Sequence, residues 1–321
     1  MRFQLFFGRN CDRCTIVSLL GVVAIICVTS IPYEVSAGSQ DEICVNDFLS
    51  RQVCVSSAPK RVISLAPSLT ETLFILKAGH LIIGRTTRCN APREAQDIRD
   101  IGAYMNPDME RVMSLKPDLV LSPKTGVRKE LVDRLTEVGI PVFVDDSNDL
   151  DEIVELVRKL GIILAMKSEA EKVIETIQQR RATMNERIAD LDKPAVLFVI
   201  GMRPLIVAGG KSFLGALIRE AGGANIAEEA SVPYPRFSME EVIRRDPEFI
   251  IVVNKECLSE ECIQDWRKYQ VLRAVRNSRI YGLEADLMSR PTPGIIEALE
   301  QLAAIFHPGT VTAASPGKLS N

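Results

Sequence analysis

The chain has 321 residues and a formal net charge of −3, from 39 Lys and Arg against 42 Asp and Glu. That length can bury more than one core, so two domains of ordinary size are expected. The mildly acidic balance excludes an electrostatic case for nucleic acid, and two histidines, His80 and His307, are too few for a histidine-built metal site.

Residues 1–37 read as a secretory signal peptide. Arg2, Arg9 and Arg13 precede the apolar run 16–31, Pro32 breaks it, and Val35-Ser36-Ala37 offers cleavage after Ala37. The run is short for a membrane span, which needs roughly 20 residues, although a retained anchor stays open. Cys27 as a lipidation site is disfavoured by Ile26, because lipoprotein signals have a small residue there. Cys11, Cys14 and Cys27 leave with the signal, so Cys44, Cys54, Cys89, Cys257 and Cys262 meet an oxidising compartment. Ile43-Cys44-Val45 and Val53-Cys54-Val55 form a hairpin turning near Leu49. This puts Cys44 opposite Cys54, roughly 4.5 to 5.5 Å away and within disulfide reach.

Arg61–Leu65 is the first strand of an α/β lobe. Ser68 and Glu71 have capping-box spacing for a helix running to about Lys77. Residues 81–86, 118–121 and 141–144 are further short strands with helical patterns between them, which implies a mostly parallel sheet covered by helices. The N-terminal lobe is thus 38–148. Residues 149–192 are helical: one helix reaches about Ala165, and a second, capped by Ser168 with Glu171, repeats apolar residues from Ala170 to Leu191. The second spans about 36 Å, enough to link two lobes or simply to pack along one sheet. The C-terminal lobe, 193–308, restarts at the strand 195–200. Helices follow at 213–221 and 239–245, strands at 249–253 and 279–283, and a last helix at 294–306; residues 309–321 read as a disordered tail. Cys257 and Cys262 lie five apart. A helix would separate their Cα atoms by roughly 8 to 9 Å, so a disulfide there needs a loop, which Asn254, Ser259 and their neighbours suit.

One stretch occurs twice without a gap. Met109-Glu110-Arg111-Val112-Met113-Ser114-Leu115-Lys116-Pro117-Asp118-Leu119 aligns on Met239-Glu240-Glu241-Val242-Ile243-Arg244-Arg245-Asp246-Pro247-Glu248-Phe249. Each copy is a short amphipathic helix closed by a proline, then one acidic residue, then an apolar strand. The fold class is therefore α/β, two related lobes with mostly parallel sheets. Glu110 and Glu240 fall at the same point of each lobe, as a matched docking pair or as acidic residues suited to a first helical turn.

Several segments, in order, resemble the substrate-binding proteins of ABC importers that handle vitamin B12 and iron chelates. They are 61–68, Asn106-Pro107-Asp108-Met109-Glu110, 115–120, Ala221-Gly222-Gly223-Ala224-Asn225-Ile226, Val232-Pro233-Tyr234-Pro235, 238–242 and Arg290-Pro291-Thr292-Pro293-Gly294. The resemblance implies two Rossmann-like lobes joined by one long helix, in a periplasmic, monomeric, non-enzymatic protein with little hinge motion and no cofactor of its own. It implies a corrinoid in the interlobe cleft, with a siderophore or haem as alternatives. Glu110 and Glu240 match the glutamates that dock onto the transmembrane subunits of the importer. Pro67, Tyr104, Tyr234 and Asp286 match or neighbour ligand-contacting positions, and Arg203 and Arg290 are either ligand contacts or exposed charges. Tyr104 and Tyr234 equally suit rim or core positions. That family's cobalamin cleft is rich in tryptophan, whereas the single Trp266 lies outside the matching segments. Loops 122–126 and 201–204 are expected to face each other, because ligands gather at the carboxyl ends of parallel strands.

Other signals fail. Gly209-Gly210-Lys211-Ser212 looks like the end of a phosphate loop, but Leu205 stands where that loop needs glycine. A tetrapyrrole metal chelatase, the competing enzyme class, also pairs two α/β lobes but needs a cleft histidine. Neither His80 nor His307 follows a strand, and Cys89 has no histidine near it in sequence.

Overall fold

Each short apolar run of the N-terminal half becomes a strand, and together they form one parallel sheet. The computed structural model of the chain describes residues 42–253 and 265–310. The signal segment, the Cys257 and Cys262 pair and residues 311–321 lie outside them. Strands β3 (Val62–Ser64), β4 (Ile82–Arg85), β7 (Leu119–Pro123) and β8 (Val142–Asp145) pair in the order β4-β3-β7-β8, all parallel. The inner strands β3 and β7 are continuously buried over their apolar residues, while the edge strand β4 alternates. Order reverses between β3 and β7, so loops diverge at their carboxyl ends and leave a crevice there.

The other edge, β8, is covered by the cysteine hairpin. Strands β1 (Ile43–Asn46) and β2 (Gln52–Val55) pair with Cys44 opposite Cys54, and the two sulfurs are bonded. In the turn, the Phe48 amide donates to the Val144 carbonyl (3.1 Å) and Arg51 donates to the Val142 carbonyl (3.1 Å). Val144 N–H in turn donates to the Asp47 carboxylate (3.3 Å). The hairpin thus occupies backbone groups that an open edge would present to other chains. The disulfide closes a loop with a sequence separation of 10. Replacing Cys44 and Cys54 by serine should cost about 2–3 kcal/mol in urea unfolding of the mature protein. A change under about 0.5 kcal/mol would mean that Asp47 and Arg51 hold the hairpin unaided.

The C-terminal sheet is built on β9 (Ala195–Met202), β12 (Phe249–Val252) and β13 (Ile280–Gly282), all parallel. The order is β10-β9-β12-β13, where β10 (Leu205–Val207) returns antiparallel to β9, and β11 (Ala224–Asn225) pairs with the start of β9. The segment 201–204, expected to be a free loop, is therefore largely the turn of a hairpin. Its tight geometry follows from Leu205 pairing with Met202.

Two capping boxes do not form. Helix α1 (Pro67–Ile75) begins a residue early, with Pro67 in its first turn and Ala66 at the cap. Proline fits there because its missing N–H would have had no partner. The linking helix, here Lys167–Ile188, likewise starts at Lys167 behind Met166, without a side-chain cap. Both helices of the duplicated segment are capped by a side chain. Helices α2 (Met109–Ser114) and α7 (Met239–Arg245) are capped by Asp108 and Ser238, which accept from the Arg111 and Glu241 amides.

The duplication extends past the helices. Lys116 and Asp246, equivalent in the repeat, both take left-handed backbone (φ 45° and 40°) to end their helices. The next acidic residues brace the neighbouring strand: Asp118 accepts from Lys60 and Arg61 amides (2.8 and 3.0 Å), and Glu248 from the Ala195 amide (3.4 Å).

Helix α4 (Leu150–Ile163) and the linking helix α5 (Lys167–Ile188) tie the halves together. One hydrophobic cluster runs from Val62 and Leu121 through Ile153, Leu160 and Ile174 to Val196, Ile251 and Phe306. Arg181 on α5 reaches Asp151 on α4 (2.6 Å) and Glu220 at the end of α6 (Phe213–Glu220; 2.5 Å). Arg180 grips Glu300 through two hydrogen bonds (2.9 and 2.7 Å). A continuous, close-packed core resists large hinge motion. Among the described residues, no helix is long and apolar enough to cross a membrane.

Candidate functional site

A cleft of about 680 Å³ opens at the carboxyl ends of the N-terminal sheet. Its walls come from the ends of all four parallel strands and the turns that follow them: Ala66-Pro67-Ser68 after β3, Thr87, Arg88 and Asn90 after β4, Pro123 and Thr125 at the end of β7 and beyond it, and Asp145 to Asn148 at the end of β8 and beyond it. Tyr104 and Met105 join from the hairpin of β5 (Gly102–Ala103) and β6 (Asn106–Pro107). The second lobe contributes Asp286, Ser289, Arg290 and Pro291, on and just after α9 (Ala285–Ser289). The volume lies within the roughly 300–1,000 Å³ usual for small-molecule sites.

Arg290 joins the lobes. Its guanidinium pairs with Glu71 on α1 and with Asp286 (2.9 Å), and donates to the Asn90 side-chain oxygen (3.0 Å). Both main partners are largely buried, with side chains 13% exposed for Arg290 and 21% for Glu71. Burial pushes the Glu71 carboxyl above its ordinary range, and the Arg290 contact pulls it back.

Asp145, at the end of β8, is buried beside the cleft. Burial raises its carboxyl above the usual aspartate range, and the Ser147 hydroxyl (2.5 Å) and amide (3.0 Å) act against that. Its neighbour Asp146 pairs with Lys124 (2.5 Å). The Tyr104 hydroxyl donates to the Thr125 carbonyl (2.9 Å), and burial pushes its phenol above the usual tyrosine range. Gly126, at φ +89°, supports that ring, for a Cβ there would collide with it. The wall is therefore apolar and aromatic in part, with carboxylate, hydroxyl and amide groups at fixed points.

Of the six ligand residues expected from sequence, Pro67, Tyr104, Asp286 and Arg290 line this cleft together. Arg203 and Tyr234 do not. Arg203 projects from the β9–β10 turn, 84% exposed, and pairs with Asp265 (3.0 Å). Tyr234 is 50% exposed on the segment before α7. Pro123 and Thr125 face the cleft as loop 122–126 was expected to, but their counterparts across it are residues 286–291 rather than 201–204. Missed by sequence reasoning were Thr87, Arg88, Asn90 and Asp145 to Asn148. Both follow strands that were recognised, so the rule that singled out Pro67 and Ser68 would also have found them.

Glu110 and Glu240 are exposed, each in the first turn of its helix. Hydrogen bonds from its own amide and from Ser238 hold the Glu240 carboxyl below its ordinary value. Cys89 is buried as a free thiol, 3.3 Å from the Thr86 hydroxyl. His80 and His307 lie away from the cleft walls, at Lys77 and at the end of α10 (Ile295–Phe306). Among the described residues, the one cluster spaced to hold a metal is Glu42 with Cys44 and Cys54, whose sulfurs are bonded to each other.

The periplasmic binding protein family matches residues 62–287. The vitamin B12-binding protein of Salmonella typhimurium strain LT2 is 31% identical over 255 residues, covering 79% of this chain and 92% of that protein. The vitamin B12-binding protein of Vibrio parahaemolyticus is 25% identical over 261 residues, covering 81% of this chain and 94% of that protein. The solved periplasmic vitamin B12 binding protein of Vibrio cholerae is similar with a TM-score of 0.69 and 26% identity, over 78% of this chain and 97% of that chain. A periplasmic heme binding protein from Pseudomonas aeruginosa shares the fold, with a TM-score of 0.70 at 23% identity over 80% of this chain and 96% of that chain.

Proposed function

Because the chain belongs to the periplasmic binding protein family, we propose that it is exported to the periplasm, binds a corrinoid in the interlobe cleft and delivers it to an ABC importer. The observation that carries this reading is the cleft itself, where Asp286 and Arg290 of the second lobe meet the strand-end turns of the first. A corrinoid presents a flat ring edged with amide side chains. Pro67, Tyr104 and Met105 offer it apolar surface, and the Asp286 carboxylate accepts from an edge amide. Arg290 holds Asp286 in place while itself lining the wall. Protein groups suffice for this binding without a resident cofactor. Glu110 and Glu240, duplicated and exposed, form the two-point contact with the importer's transmembrane subunits.

Titration of the mature protein with cyanocobalamin, cobinamide, haem and a ferric siderophore tests the ligand class. Corrinoid affinity better than about 10 µM, near −7 kcal/mol, is expected, with haem and siderophore weaker. A ranking that puts haem or the siderophore first would replace the corrinoid in this role.

A further inference from the structure

The charges around the cleft are almost all committed to one another. Arg290 is held by Glu71, Asp286 and Asn90, and Lys124 by Asp146. Asp145 lies buried behind them. Arg88 is different: it lines the cleft, is exposed, and among the described residues pairs with no carboxylate. The turn that carries it is fixed. Thr87 N–H donates to the Gly102 carbonyl (2.9 Å), Cys89 N–H to Thr86 (3.0 Å) and Asn90 N–H to Arg88 (3.0 Å). Cys89 and Thr86 are buried beneath it, and Arg290 grips Asn90 beside it. Of the two arginines that line the cleft, Arg290 is spent on Glu71 and Asp286, so Arg88 on its braced turn is the pre-positioned anion contact.

Resting on the corrinoid reading, we infer that Arg88 is a specificity-determining residue that binds the single phosphodiester of a complete corrinoid. Because Asp146 is paired with Lys124 and Asp286 with Arg290, Arg88 is the cleft cation without a carboxylate partner among the described residues, which gives the cleft a contact for one anionic group of the ligand. Guanidinium suits this task because its planar fork matches two phosphate oxygens at once.

The test compares the mature wild-type protein with Arg88→Gln, using cyanocobalamin, which carries the phosphodiester, and dicyanocobinamide, which lacks it. The variant should bind cyanocobalamin about tenfold more weakly, ~1.4 kcal/mol, and dicyanocobinamide within about twofold of wild type. Raising salt should weaken cyanocobalamin binding to wild type more than to the variant. Equal loss on both corrinoids, or no loss on either, overturns the assignment. If wild type binds no corrinoid, the corrinoid reading falls by itself, and Arg88 is judged on haem against haem diamide. A loss confined to the carboxylate form then supports an anion contact at Arg88. Equal behaviour of the two forms, or no binding of either, overturns it.

Discussion

Arg290→Met should destabilise the mature protein by about 2–3 kcal/mol in urea unfolding and weaken ligand binding with it. Removing one partner of a buried ion pair leaves the other desolvated, a loss of about 3–5 kcal/mol when burial is complete. Here the side chains of Arg290 and Glu71 keep 13% and 21% exposure, so water recovers part of that loss. Asp286 and Asn90 would also lose their shared donor, leaving the 286–291 wall of the cleft without its anchor to α1. The double variant Arg290→Met with Glu71→Leu separates the causes. Replacing both charges by apolar groups removes the stranded carboxylate, so stability should return to within about 1 kcal/mol of wild type. Ligand affinity should stay low, because Asp286 remains unanchored. Additive losses in the double variant would contradict a coupled interlobe pair.

Reversing both docking charges, Glu110→Arg with Glu240→Arg, should reduce uptake by cells carrying the cognate importer to background, a loss of more than about tenfold. Ligand affinity should stay within about twofold. Both side chains are exposed in first helical turns and line no wall of the cleft. Each sits in a first helical turn, where losing an acidic group costs about 0.3–1 kcal/mol, too little to unfold the protein, while reversed charges facing a complementary surface repel it. Uptake that survives the double reversal would remove the docking role. Lowered ligand affinity would place these helices in cargo binding instead.

The contrast between these two predictions follows what the sequence makes legible. Glu110 and Glu240 stand out in one chain because the repeat is gapless, and its agreement reaches Lys116 with Asp246 and Asp118 with Glu248. Periodicity and apolar runs placed both sheets because buried parallel strands tolerate little but apolar residues. The Arg290–Glu71 pair is different. Its members lie 219 positions apart, and nothing local marks Glu71 as more than a helix residue. Its capping-box spacing with Ser68 even suggested another use, which Pro67 pre-empted by starting the helix itself. Ser168 misled in the same way, since spacing alone cannot tell a cap from the first turn behind Met166.

The C-terminal half of the site was the least legible. Tyr234 was placed by resemblance and Arg203 as either a ligand contact or an exposed charge; neither lines the cleft, whose second-lobe wall runs from Asp286 to Pro291. The antiparallel return of β10 turns Arg203 out to Asp265, and no pattern shorter than the whole hairpin records that.

The central claim is that the interlobe cleft carries the cargo, and hydrogen exchange of the mature protein with and without saturating cyanocobalamin tests it most directly. Bound ligand should slow exchange in the strand-end turns 66–68, 87–90 and 145–148 and in 286–291, leaving the 43–55 hairpin unchanged. Protection confined to the groove between α5 and the start of α10, or to the surface around Tyr234, with the strand-end turns unaffected, would contradict it.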